Sequence, residues 1–143
     1  MNSRRKAIVL ICAALMPMFS WACRPSGMEH EVRFIKGTAT LDAKAAESVA
    51  QWFLEARDRL KVFEVGLFGV APAGDAAAVE RAHDRTDTIE RLIQSMNTGQ
   101  AKIIKGVSER KGQGGDPDFD VIFIESQPGC LKINTCCPQP VKK

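Results

Sequence analysis

The sequence predicts an α/β (α+β) two-layer sandwich, in the order β-α-β-α-β-β, behind an N-terminal export signal. Three observations predict it. Two long stretches carry apolar residues at helical spacing, short runs with strand-like alternation flank them, and Gly-, Asn- and Asp-containing clusters mark the boundaries. Elements of that kind bury their apolar faces when helices lie on one side of a single sheet.

The chain begins with Arg4-Arg5-Lys6, an apolar run over residues 7–19, and Ser20-Trp21-Ala22 before Cys23. A basic start, a short apolar middle and small residues at the cut are the layout of a signal peptide, here residues 1–22. The apolar run is too short to span a bilayer comfortably. Two readings of the cut stay open. Ser20 and Ala22 suit a peptidase that releases a soluble protein, whereas Ala22-Cys23 satisfies half of a lipoprotein signal and would make Cys23 a lipidation site. Either way the mature protein is expected outside the cytoplasm, in the periplasm or at the outer membrane, touching a membrane only if Cys23 is lipidated.

Loss of residues 1–22 removes three basic residues and no acidic ones, so the formal charge of +3 falls to zero. The basic character of the whole chain therefore belongs to the targeting segment and gives no case for nucleic-acid binding. Residues 23–143 are enough for one domain and too few for two.

Of five cysteines, Cys12 leaves with the signal, while Cys23, Cys130, Cys136 and Cys137 remain and would meet an oxidising compartment. All four are disulfide candidates; lipidation of Cys23 would leave three thiols. Cys130 can close a small loop with either Cys136 or Cys137. A zinc site is disfavoured, since two adjacent cysteines do not readily supply two corners of a tetrahedron and no histidine lies nearby.

After a short leader, residues 23–31, Val32, Phe34 and Ile35 make the first strand, ended by Gly37-Thr38. Asp42 can cap a helix with Ala46, Val49, Ala50, Phe53 and Leu60 on its buried stripe. Residues 62–68 form the second strand, with Phe63, Val65 and Leu67 on its apolar side, broken at residues 69–74. Asp75 opens a second helix with Ala78, Ala82, Ile89, Leu92, Ile93 and Met96 inward, closed at Asn97-Thr98-Gly99 by a left-handed glycine. Residues 102–107 and 119–124 make the last two strands, joined by a hairpin over residues 112–115. The domain then spans residues 32–125, and 126–143 form a cysteine-containing tail.

From residue 32 to 124 the chain resembles the OmpA-like family, whose domains tether bacterial outer membranes to peptidoglycan. The likeness rests on Phe34-Ile-Lys-Gly37-Thr-Ala-Thr-Leu41 before the first helix, on Arg85-Thr86-x-x-Ile89-x-x-Leu92 in the second, and on Gly106. The resemblance implies the stem peptide of peptidoglycan as partner, held by an aspartate and an arginine that meet the ammonium and carboxylate of diaminopimelate. Arg85 stands in register with that arginine. The family's Gly-His-Thr-Asp is replaced by Gly69-Val70-Ala71-Pro72, which leaves Asp75 as the nearest acidic substitute. Read without the resemblance, Asp75 caps the helix and Arg85 is a solvated surface residue.

No catalytic residue, cofactor or metal site is predicted. His30 and His83 sit in polar surroundings and read as solvated, and no serine or cysteine has the context of a nucleophile. Asp116, Asp118 and Asp120 put three carboxylates close together without the spacing of a calcium loop. The reading is a non-catalytic cell-envelope module contacting peptidoglycan. The alternative is an exported protein-binding module, an envelope assembly component or toxin-neutralising inhibitor, with the altered turn and cysteine tail as its contact surface.

Overall fold

A computed structural model describes residues 27–112, 116–132 and 137. The signal peptide, Cys23 and Cys136 lie outside the described residues. The elements run β1 (Glu29–Arg33), α1 (Ala43–Leu60), β2 (Glu64–Pro72), α2 (Ala76–Gln94), β3 (Lys102–Arg110), a 3-10 turn (Pro117–Asp120), β4 (Val121–Gln127) and the short α3 (Gly129–Lys132). The sheet order is β1-β4-β2-β3. β4 is antiparallel to β1 and β2, and the β2-α2-β3 crossover makes β2 and β3 parallel. Helices cover one face of this mixed sheet, as the expected sandwich requires.

The apolar stripes account for the packing. Val49, Phe53 and Leu60 of α1 meet Ile89 and Ile93 of α2 over Val65 and Leu67 of β2 and Ile122 and Ile124 of β4, all buried. Burying each such side chain is worth roughly 1.5–3 kcal/mol. Asp42 caps α1 by accepting from Ala45 N at 2.7 Å. Lys105 of β3 lies 2.6 Å from both Asp87 and Glu90, which ties α2 to the edge strand. These hydrogen bonds raise the Lys105 pKa, and the bond from Lys105 lowers that of Asp87.

Several boundaries differ from the sequence expectation. β1 starts at Glu29, so Phe34 lies just past its end, still buried. β2 is not broken at Gly69 but continues to Pro72, because parallel pairing with β3 runs to Pro72 opposite Arg110. A side chain at residue 69 would press on Ile122 Cδ1 and Ala82 Cβ at 3.1 and 3.3 Å, so glycine there permits close helix packing instead of breaking the strand. β4 starts only at Val121, since Asp116 caps the 3-10 turn by accepting from Asp118 N. α2 ends at Gln94, and the left-handed residue beyond it is Gln100 (φ 55°), not Gly99. Asn97 shapes that turn by donating to Ala101 O at 2.8 Å and accepting from Ala101 N at 2.9 Å.

The tail docks on the end of α1, where Gly129 N donates to Lys61 O at 3.1 Å. Of the two partners open to Cys130, the disulfide joins it to Cys137, with Cα atoms 5.2 Å apart.

His30 is not solvated in a leader: it sits on β1, stacks on Trp52 with ring centroids 5.5 Å apart, and has Ser48 Oγ at 3.3 Å from Nε2. Burial lowers its pKa below the usual 6.5. A depressed folded-state pKa means that the unfolded chain binds the proton more readily, so this contribution to stability is complete well above pH 6.5 and declines as the pH falls through and below that value. Urea titrations across pH 5–8 should show that decline, and His30→Phe should flatten it. Phe53→Ala, at a fully buried position, is expected to cost about 3–5 kcal/mol in the same assay.

Candidate functional site

Where β2 ends, the chain must turn into α2, and the loop after β1 and the 3-10 turn before β4 reach the same pole of the sandwich. They enclose a small cleft of about 150 Å³ whose charged lining is Lys36, Asp75, Arg81, Arg85, Asp116 and Asp120. The two residues singled out from sequence, Asp75 and Arg85, therefore do line one site.

Their roles differ. Asp75 is exposed and caps α2, with Oδ1 accepting from Ala78 N at 2.9 Å. The turn before it is held by Gly74 (φ 81°), whose N–H donates to Glu109 Oε2 at 3.0 Å. Arg85 is only 2% exposed, which corrects its reading as a solvated surface residue. Its Nε donates to Thr38 O at 2.6 Å, Nη1 to Phe119 O at 2.5 Å and Nη2 to Asp120 Oδ1 at 2.6 Å. The guanidinium carbon also lies 5.4 Å from the centre of the Phe34 ring. Burying a cation is expensive unless it is paired and hydrogen-bonded, and Arg85 meets both conditions through the protein itself.

The neighbouring carboxylates are engaged in the same way. Arg110 Nη2 lies 2.8 Å from Asp116 Oδ2 and 3.1 Å from Asp118 Oδ2, while Asp120 holds Arg85 and accepts from Gly37 N at 3.3 Å. Asp116, Asp118 and Asp120 are thus counter-charges for two arginines. Among the described residues no group of acidic, His and Cys side chains is arranged to hold a metal. His83 is exposed on α2.

Sequence reasoning missed Lys36, exposed on the loop after β1, and Arg81, half-buried one helical turn before Arg85. The i, i+4 spacing of Arg81 and Arg85 on the buried side of α2 was the available signal. A carboxylate beside two cations around a shallow seat can recognise a small group carrying both an ammonium and a carboxylate. At about 150 Å³ the cleft takes one side chain, well below the volume of a drug-sized pocket.

No family model matches the sequence, and no curated protein matches it significantly. Solved structures do match. The OmpA-like domain of FopA1 from Francisella tularensis subsp. tularensis SCHU S4 superposes with a TM-score of 0.56 at 21% identity, covering 70% of this chain and 72% of that one. The periplasmic domain of Helicobacter pylori MotB (residues 78–256) gives 0.55 at 5% identity, covering 74% and 79%. The fold is OmpA-like. The peptidoglycan-associated lipoprotein from Burkholderia pseudomallei adds a third match, with a TM-score of 0.51 at 10% identity over 67% and 86% of the two chains. The OmpA-like resemblance read from the sequence therefore holds for the fold.

If Arg85 fastens the loops of this OmpA-like fold, Arg85→Ala should lower stability by about 3 kcal/mol, leaving Asp120 and two carbonyls without their donor. Arg85→Lys should recover little of it, since an ammonium lacks the planar fork. Both are read by urea denaturation. At the cap, Asp75→Ala should cost about 1 kcal/mol and Asp75→Asn only a few tenths.

Proposed function

We propose that this chain is a non-catalytic cell-envelope module, exported to the periplasm or the outer membrane, that contacts the stem peptide of peptidoglycan through the cleft at the start of α2. One observation carries the reading: Asp75, Arg81 and Lys36 line one small cleft where the β1–α1 loop meets the start of α2. The OmpA-like fold supports it, since one fold neighbour is a peptidoglycan-associated lipoprotein and another is the cell wall anchor of the T6SS from Pseudomonas aeruginosa. Asp75 would take the ligand's ammonium. Arg81 and Lys36 would take its carboxylate, and Arg85 forms the floor.

This assignment shifts the ligand cation from Arg85 to Arg81. Asp120 already occupies the guanidinium of Arg85, so a ligand carboxylate would have to displace an ion pair that also holds two loops. Among the described residues no helix is long and apolar enough to cross a membrane, and attachment, where it occurs, is assigned to lipidated Cys23. The alternative of a module that binds another protein draws its support from the opposite side of the sheet, where Phe68 and Phe123 are exposed.

Co-sedimentation with purified sacculi tests the proposal. The wild-type protein should bind saturably. Arg81→Ala and Asp75→Asn, both chosen to leave the fold and the helix cap in place, should each weaken binding about tenfold, the loss expected for one charge-assisted contact of about 1.4 kcal/mol. Absence of binding by the folded wild-type protein would retire the reading.

A further inference from the structure

The end of β3 holds the cleft without lining it. Strand alternation sends the side chains of its last two residues, Glu109 and Arg110, to opposite faces of the sheet. Glu109 Oε2 accepts from Gly74 N at 3.0 Å and the Arg110 carbonyl accepts from Ala73 N at 2.9 Å, so both residues fix the turn that leads from β2 to Asp75. The Arg110 side chain serves the other wall. Its Nη2 lies 2.8 Å from Asp116 Oδ2 and 3.1 Å from Asp118 Oδ2, and its guanidinium carbon lies 5.5 Å from the centre of the Phe119 ring. Asp116 and Phe119 are lining residues of the cleft, whereas Arg110 stands behind them.

That arrangement decides what charge a ligand meets. Asp75, Asp116 and Asp120 are the carboxylates of the lining. Asp120 is engaged by Arg85, and both oxygens of Asp116 are engaged as well: Oδ1 accepts from Asp118 N at 3.1 Å and Oδ2 faces Arg110. Without Arg110, the carboxylates of Asp116 and Asp118 would stand beside the cleft with their guanidinium removed. A carboxylate on the ligand would then meet like charge, which works against binding.

We propose that Arg110 is a positioning residue for ligand binding in this cleft. It acts through Asp116, whose carboxylate it draws away from the ligand, so that Lys36 and Arg81 stay open to a group bearing a carboxylate and Asp75 is the acid left for an ammonium. The inference rests on the reading of the cleft as the ligand site. Arg110 and Asp116 are 48% and 31% exposed, so water screens the pair and its effect on binding is about threefold.

Co-sedimentation of the full chain with purified sacculi, at low and at high salt, tests this. Arg110→Gln should weaken binding about threefold with the circular dichroism unchanged, and the loss should shrink at high salt. Asp116→Asn, which keeps an oxygen to cap the 3-10 turn, should bind at least as well as the wild type. Combining the two should recover most of the loss, because the charge that Arg110 offsets has gone. Wild-type binding by Arg110→Gln overturns the proposal. So does a loss that Asp116→Asn leaves uncorrected, which would make Arg110 a brace between the two walls and no more. Weaker binding by Asp116→Asn alone overturns it too, by making Asp116 a ligand contact. Those three results leave the reading of the cleft standing, whereas a folded wild-type protein that ignores sacculi retires both.

Discussion

One guanidinium ties together three parts of the chain that are remote in sequence. Arg85 lies on α2, yet its donors end on the carbonyl of Thr38 in the β1–α1 loop, the carbonyl of Phe119 in the 3-10 turn and the carboxylate of Asp120 just before β4. Because the guanidinium is planar, those three acceptors are fixed relative to one another as well as to the helix. Asp120 passes the constraint on: its carbonyl accepts from Phe34 N at 2.9 Å, which sets where β1 leaves the sheet. The floor of the cleft is thus built from the same bonds that close the sandwich at this pole.

That dependence separates what the sequence could reveal from what it could not. Val49, Phe53 and Leu60, and Ile89 and Ile93, announce their burial by spacing alone, since helical periodicity is local. Asp42 and Asp75 are legible as caps for the same reason. Arg85 is not, because its burial depends on acceptors 34 to 47 residues away, and no window around it contains them. The extension of β2 past Gly69 is similarly non-local: it follows from pairing with β3 and from the approach of Ala82 and Ile122, neither visible in residues 69–74. The choice of Cys137 by Cys130 rests on where the tail docks against α1.

The OmpA-like resemblance was legible in motif order, and the fold bears it out at 21% identity or less in the three matches compared. Fold survives such divergence because the core asks only for apolar side chains of suitable volume, whereas a site asks for particular groups in particular places. Here the last residues of β2 read Gly69-Val70-Ala71-Pro72 and offer no acid, while the acid of the cleft and the cations beside it come from further along the chain, at Asp75 and Arg81 of the α2 start, and from Lys36. A motif search anchored on residues 69–72 would pass over them.

The first strand pairs with the last, and β1 enters the sheet at Glu29 opposite Glu125, at the pole away from the cleft. A tension applied between the chain before Glu29 and a ligand held in the cleft would run along β1. The bonds that join β1 to β4 lie across that direction. They would be loaded in shear, all together, and not peeled apart one at a time. A fold that pairs its first strand in this way is mechanically suited to bear a pull between its two poles.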